Sequence, residues 1–160
     1  MGDIPGDGKV RVDFVLAIAN IFVPTASELN AGLRISQWMP ADGLVGFRPE
    51  TADVGTSGIE DDFDTNTNGR RSFSGTLVRL KKQTGSDAAY TTMLPDVEGF
   101  LVIRRSIAAA TAYVSGQHLQ GVYPVICGET AWMDPEPNTI DRYEVPLKLR
   151  LKPALRVNVA

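Results

Sequence analysis

The stretch RYEVPLKLRLK, residues Arg142–Lys152, indicates the fold class because apolar and polar residues alternate along it. Successive side chains of a β-strand point to opposite faces of the sheet, so this alternation predicts a strand with one buried face and one face in solvent. The predicted buried face consists of Tyr143, Val145, Leu147, Leu149 and Leu151. Such a face is stable only under cover from other strands or a helix, which the rest of the chain must supply.

Length and composition favour one domain that is rich in β-structure. The chain has 160 residues, which is within the usual range of a single domain with one core. Its 15 Gly and 10 Pro interrupt the sequence too often for long helices. We therefore expect a single domain over residues 1–160, with a flexible arm at residues 1–8.

The charge is slightly negative and unevenly distributed. A formal net charge of -3 lacks the excess of bases that tight DNA binding requires. Residues 41–68 carry seven acids against Arg48 alone, whereas residues 142–160 carry five bases against Glu144 alone. Opposed patches of this kind favour self-association.

Cysteine content and hydropathy indicate a chain that folds in a reducing cytosol. Cys127 is the only cysteine, so no disulfide can form within the chain. No apolar run reaches the roughly 18 residues that span a bilayer, and the N-terminus lacks a basic segment followed by an apolar one. We expect neither secretion by that route nor membrane anchoring.

The first forty residues predict two strands around a short helical turn. Val10, Val12, Phe14, Leu16 and Ile18 alternate along the first strand. Thr25 and Glu28 have the spacing of a capping box, which predicts a helical turn over Ala26–Ala31 with a left-handed stop at Gly32. Leu33–Met39 then alternates as a second strand that ends at Pro40.

Residues 41–71 form the least patterned part of the chain and are predicted to be a long assembly loop, with a weak strand near Leu44–Val54. Connections in compact domains are usually about four to six residues long, so a loop of this length is either disordered or used. Asn68-Gly69 is a dipeptide of hairpin turns, after which Ser72–Lys82 is predicted to be a long strand.

The second half predicts a helix and two further strands before the alternating stretch. Asp87–Leu94 is expected to be a helix capped by Ser86, with an apolar stripe formed by Tyr90, Met93, Leu94 and Val97. Phe100–Arg105 and Leu119–Cys127 are predicted strands, and Pro124 marks the latter as an edge strand or a bulge. About seven antiparallel strands and two short helices favour a β-sandwich or barrel.

No group of residues assembles a convincing catalytic or metal site. Asp64–Gly69 matches the first half of a calcium loop, but Gly75 occupies the position of the required bidentate acid, so a solvated turn is expected. His118 has no identifiable catalytic partner, and Cys127 in an apolar strand should behave as a small hydrophobe. The predictions are therefore no enzyme activity, no metal and no organic cofactor. The basic pairs Arg70-Arg71, Lys81-Lys82 and Arg104-Arg105 are expected to be solvated strand ends.

Several segments together resemble the major tail tube proteins of long-tailed (siphovirus-type) phages, particularly those that infect actinobacteria. In that family a strand ending in AIAN leads into a turn of the form PT-x-x-EL-x-AG, which corresponds here to VDFVLAIAN followed by PTASELNAG. The later segment GFLVIRR, residues 99–105, also matches. The motifs cover the chain from about Val10 to Arg105. Gly121 within LQGVYPV departs from the pattern and leaves the register of that strand open.

The resemblance implies a structural virion protein whose hexameric rings stack into the tail tube around the tape-measure protein. It also implies contacts with tail terminator and tail tip proteins, passage of genomic DNA without tight binding, and assembly in the host cytoplasm. We expect the long loop to contact neighbouring subunits and rings through Phe47, Ile59, Glu60, Asp61, Asp62, Phe63, Asp64, Arg70 and Arg71.

Two alternatives remain open at this point. A tail terminator or head-tail connector of similar fold would form one ring and not stack. A small β-fold enzyme or ligand-binding domain would stay monomeric.

Overall fold

The computed structural model describes residues 1–160 and consists mainly of antiparallel strands joined by short helices and turns. The α-helices are α1 (Ala26–Asn30) and α2 (Ala88–Thr92), and a 3-10 turn covers Ser36–Trp38. Neither helix has the length and apolar character needed to cross a membrane. The strands are β1 (Val10–Val15), β2 (Leu33–Arg34), β3 (Leu44–Val45), β4 (Glu50–Gly55), β5 (Asn66–Ser72), β6 (Leu77–Lys81), β7 (Glu98–Arg105), β8 (His118–Cys127), β9 (Ala131–Trp132), β10 (Arg142–Leu149) and β11 (Ala154–Asn158).

Nine of the strands form one curled antiparallel sheet in the order β2-β1-β7-β8-β10-β6-β3, to which β9 and β11 add at β10 and β8. Strand β10 connects the two layers of this sheet. Its C-terminal half pairs with β8, where Leu147 lies opposite Cys127, and its N-terminal half pairs with β6, where Val145 lies opposite Val78. The prediction of a mainly β fold made of antiparallel strands is confirmed.

The alternating stretch faces the main core as its pattern predicts, but over a shorter length. Tyr143, Val145 and Leu147 are completely buried between the two layers. Leu149 is half-buried, and Leu151 is 61% exposed because the strand ends at Leu149 and the chain bends. The inclusion of Leu151 in the buried face is therefore wrong.

A second apolar cluster covers the other face of the layer that contains β7 and β8. It combines Leu29 of α1 with Val102, Val122 and Val157. Strand β7 is thus covered on both faces, which is why its sequence FLVI is continuously apolar and does not alternate.

The capping box at α1 is confirmed. Thr25 Oγ1 accepts a hydrogen bond from Glu28 N at 3.3 Å, and Glu28 Oε2 accepts one from Thr25 N at 3.1 Å. Gly32 is not a left-handed stop, since it is absent from the residues with positive φ. A Cβ at Gly32 would lie 2.6 Å from Val15 Cγ2, so close packing against β1 is the reason for glycine there.

The predicted strands on either side of α1 are shorter in the structure. Strand β1 ends at Val15 and leaves Leu16 59% exposed. The second strand covers only Leu33–Arg34, after which the 3-10 turn replaces it. This turn brings Ile35 into the core, where it is completely buried.

Helix α2 exists where the apolar stripe predicts it, but its cap and extent differ. The N-cap is Asp87 and not Ser86, because Asp87 Oδ1 accepts from Tyr90 N at 3.2 Å. Met93 is completely buried, whereas Leu94 is 50% exposed. The helix ends at Thr92, so Leu94 leaves the face that packs on the core.

Strand β8 is central, and its proline marks neither an edge nor a bulge. Pro124 lies opposite Phe100 in regular register with β7, while its carbonyl accepts from Arg150 N at 3.1 Å on the other side. That side is where β8 changes partner from β11 to β10, so a missing N–H interrupts no continuous ladder. Gly121 is also in regular register, opposite Ile103.

Candidate assembly surface

Residues predicted to form a long loop fold instead into a separate β-hairpin. Strands β4 and β5 pair with each other and with no other strand, with Asp53 opposite Asn68 and Val54 opposite Thr67. Every residue of β4 is exposed. The Asn68-Gly69 dipeptide lies inside β5 and is not the turn, so this prediction is wrong. Strand β4 forms the hairpin with β5, which follows it in the chain only after the acidic segment. Local periodicity does not reveal this pairing, because the two strands are separated by that segment.

The turn of this hairpin, residues 56–65, is here called the hairpin tip. Thr56 N donates to Thr65 O at 2.8 Å, and the two threonine hydroxyls lie 2.7 Å apart. Gly58 N donates to Asp61 Oδ2 at 2.6 Å. The tip is closed by polar contacts, with no apolar core of its own.

Most of the residues predicted to make subunit contacts lie together at this tip. Ile59 is completely exposed, and Phe63 is 76% exposed. Four exposed carboxylates, none in an ion pair within the chain, surround them at Glu60, Asp61, Asp62 and Asp64.

Phe47 differs from the other predicted contact residues because it belongs to the core. It is 5% exposed and packs edge-on against Tyr123 at a ring separation of 5.1 Å. Leu44 and Val45 pair with β6. The predicted loop is therefore wrong for residues 41–49, which complete the second layer, and Phe47 is not available as a surface contact.

Arg70 and Arg71 lie near the hairpin base, at the edge of a groove on the same subunit. Two adjoining cavities of about 430 and 500 Å³ form this groove and share Pro49 and Leu155. Its lining contains no carboxylate. We call it the basic groove after its five exposed bases, Arg70, Arg71, Arg105, Lys152 and Arg156.

A buried cluster of charged residues lies on the side of the sheet that faces away from the main core. Asp13 is completely buried and accepts from Arg11 Nε at 2.9 Å, from Arg11 Nη2 at 3.1 Å and from the Tyr113 hydroxyl at 3.2 Å. The guanidinium carbons of Arg11 and Arg104 lie 4.6 and 4.8 Å from the centre of the Tyr113 ring. Burial opposes the charge of Arg11, but the hydrogen bond and charge of Asp13 raise its pKa overall.

Arg104 uses this position to hold the segment between β7 and β8. It is completely buried, contrary to the predicted solvated pair Arg104-Arg105, and burial lowers its pKa. Its Nη2 donates to Thr111 O at 2.7 Å and to Ala108 O at 3.0 Å. Asn30 of α1 pairs with both backbone polar groups of Tyr113, each at 2.9 Å. The polar side of β1 is therefore covered by α1 and residues 106–117.

The residues considered for catalysis or metal binding are dispersed. His118 is exposed, with Nδ1 at 3.0 Å from Asn158 Oδ1. Cys127 is 2% exposed, and burial raises the pKa of its thiol to about 11. Asp64 belongs to the hairpin tip and Asn66–Gly69 to β5. No group of three or more His, Cys, Asp or Glu side chains is arranged to hold a metal ion.

Comparison with known proteins identifies the family. A family model described as phage tail tube protein matches residues 1–160. The chain belongs to the phage tail tube protein family. A solved structure with the same fold comes from the six-fold symmetrised baseplate of the anti-feeding prophage, with a TM-score of 0.59, 9% identity and 98% of each chain covered. No curated protein matches the sequence.

The chain is therefore a structural protein of the phage tail. Its family consists of structural proteins and not of enzymes. Tail tube proteins assemble into oligomeric tail structures with other tail components and are part of the virion tail. The resemblance seen in the sequence motifs is thereby confirmed at the level of the phage tail tube family.

Proposed function

We propose that this protein is the major tail tube subunit, which forms hexameric rings that stack into the conduit for DNA ejection. The observation that carries the proposal is the β4–β5 hairpin, which leaves the sheet with every residue of β4 in solvent. An isolated two-stranded hairpin is only marginally stable in water. A surface of another subunit that packed against β4 and β5 would stabilise the hairpin. The six-fold symmetry of the anti-feeding prophage baseplate supports the ring number.

The edges of the main sheet support self-association as well. Strands β2 and β3 lie at its two ends, and each contains only two residues. Short edge strands limit uncontrolled pairing but still offer unpaired backbone groups to a neighbour in a defined position. Sheets of adjacent subunits joined there would continue around a ring.

The overall charge suits a conduit. With a net charge of -3 per subunit, a stacked tube does not carry the excess of bases that would retain phosphates. The tape-measure protein would occupy the lumen during assembly in the host cytoplasm. Terminator and tip proteins would close the two ends.

The test shortens the hairpin without touching the core or the basic groove. Replacing Val54–Thr67 by Asn-Gly joins Asp53 to Asn68, which already face each other, through a two-residue turn of the type that such sequences favour. We expect the wild-type protein to form tubes in negative-stain micrographs and the shortened variant to remain as subunits or single rings. The replacement starts after Asp53 because a deletion that began at Leu44 would remove β3 and Phe47 from the core.

The control is the circular dichroism spectrum and melting temperature of the shortened variant, which should match the wild type. Tubes of normal length from this variant, or a wild-type protein that stays monomeric across micromolar concentrations and all salts, would contradict the proposal. Single wild-type rings that never stack would indicate a terminator or connector instead.

A further inference from the structure

We propose that the acidic hairpin tip of one subunit docks into the basic groove of a second copy of this chain. This inference rests on the proposed self-assembly and names the two surfaces that meet in it. The predicted contact residues of the hairpin then divide into two roles. Residues 59–64 insert into the basic groove of a partner subunit, while Arg70 and Arg71 line the groove into which a partner's hairpin tip inserts.

The basic groove lacks counter-charges within its own subunit. None of its five bases forms an ion pair with a carboxylate of the same chain, whereas several bases elsewhere do, namely Arg11, Arg79, Lys82, Arg142 and Arg150. Five like charges along one groove repel one another. A ligand with several negative charges would relieve that repulsion.

The hairpin tip has the complementary composition. It carries four exposed carboxylates and no base, and it presents Ile59 and Phe63 to solvent. The groove offers an apolar lining between its bases, formed by Phe73, Leu149 and Leu155. Docking would thus pair carboxylates with guanidinium groups around a centre where apolar side chains leave water.

The geometry of the hairpin directs its tip to another molecule. Strand β4 has six residues, and at about 3.3 Å per residue it places the tip about 20 Å from the base. Pro49 and Arg71, at that base, line the groove themselves. Pairing of β4 with β5 holds the tip away from the groove at its own base, so the acidic tip that enters the groove belongs to a second copy. Because tip and groove are different surfaces, the contact is heterologous and can repeat along an axis.

A charge-swap experiment tests this contact. The tip variant is E60K/D62K, which spares Asp61 because its carboxylate holds the Gly58 amide at the turn. The groove variant is R70E/R71E. We expect each variant alone to form no tubes even at about ten times the protein concentration at which the wild type forms them, because like charges would meet in every contact.

An equimolar mixture of the two variants should restore assembly. The reversed tip then meets the reversed groove, and the unchanged tip of the groove variant meets the unchanged groove of the tip variant. Sedimentation velocity detects this association even before tubes form. Matched controls with the same changes in charge elsewhere, D3K/E136K and K9E/K148E, should assemble like the wild type.

The outcomes separate this contact from the proposed function. Two results would overturn the docking but leave the proposed tube in place. The first is wild-type tubes with a variant mixture that does not associate, and the second is wild-type tubes with either swapped variant assembling normally. If the mixture associates but the wild-type protein forms no tubes, the docking is supported and the proposed tube is contradicted. A wild-type groove that retains a short DNA duplex at about 0.15 M salt, with R70E/R71E losing that retention but still assembling, would assign the groove to nucleic acid instead.

Discussion

Replacing Asp13 by Asn removes the negative charge at the centre of the buried cluster while preserving the shape of the side chain. The carboxylate accepts two of the three hydrogen bonds that Arg11 donates and one from Tyr113, and Asp13 and Arg11 are 0% and 8% exposed. The variant therefore leaves the guanidinium groups of Arg11 and Arg104 buried together without a carboxylate. Their mutual repulsion adds to the lost hydrogen bonds.

Breaking a buried ion pair by removing one partner costs about 3 to 5 kcal/mol. Solvent screening reduces this value little, because neither side chain of the pair is more than 9% exposed. At about 3 °C per kcal/mol for a chain of this size, the melting temperature should fall by roughly 10 to 15 °C. Residues 106–117 should also become more sensitive to protease, because Arg11 and Arg104 bind their carbonyl groups.

Urea unfolding followed by circular dichroism measures the free energy, and limited proteolysis with mass spectrometry locates the loosened segment. The matched control is D53N on the exposed strand β4, which should change the free energy of unfolding by less than about 0.5 kcal/mol. If the free energy of unfolding of D13N lay within that margin of the wild-type value, the buried cluster would contribute no net stability and the prediction would be wrong.

Two further predictions concern titratable groups. Burial disfavours the ionised Asp87 carboxylate, but hydrogen bonds from the Gln83 and Tyr90 amides and from Lys82 lower its pKa overall. The stabilising effect of the Asp87 carboxylate is therefore present above the unfolded pKa of about 4 and is lost as the pH falls below it. The melting temperature of D87N should consequently decline less than that of the wild type between about pH 5 and pH 2. Parallel declines of the two proteins would contradict this prediction. Because burial raises the pKa of Cys127 to about 11, the native thiol should resist a disulfide reagent at about pH 8 and react fully in urea, as judged by absorbance. Rapid labelling of the native protein would show that this strand opens.

Features that depend only on neighbouring residues could be predicted from the sequence. Alternation at Tyr143, Val145 and Leu147 defined a buried face, and the spacing of Thr25 and Glu28 defined a helix start, because both effects act over a few residues. The motifs around them were sufficient to indicate the tail tube family.

Whether a polar face is buried, and whether an irregular segment joins the core, depends on contacts between distant parts of the chain. Arg11 and Asp13 alternate with apolar residues and Arg104 stands at the end of a strand, as solvated groups would, yet α1 and residues 106–117 cover them, and this cover comes from up to 100 residues away. Phe47 joined the core and the tip residues did not, although both lie in the same poorly patterned region. The physical reason is that β3 has β6 to pair with, whereas β4 and β5 have only each other, and pairing between distant strands leaves no local periodicity in the chain.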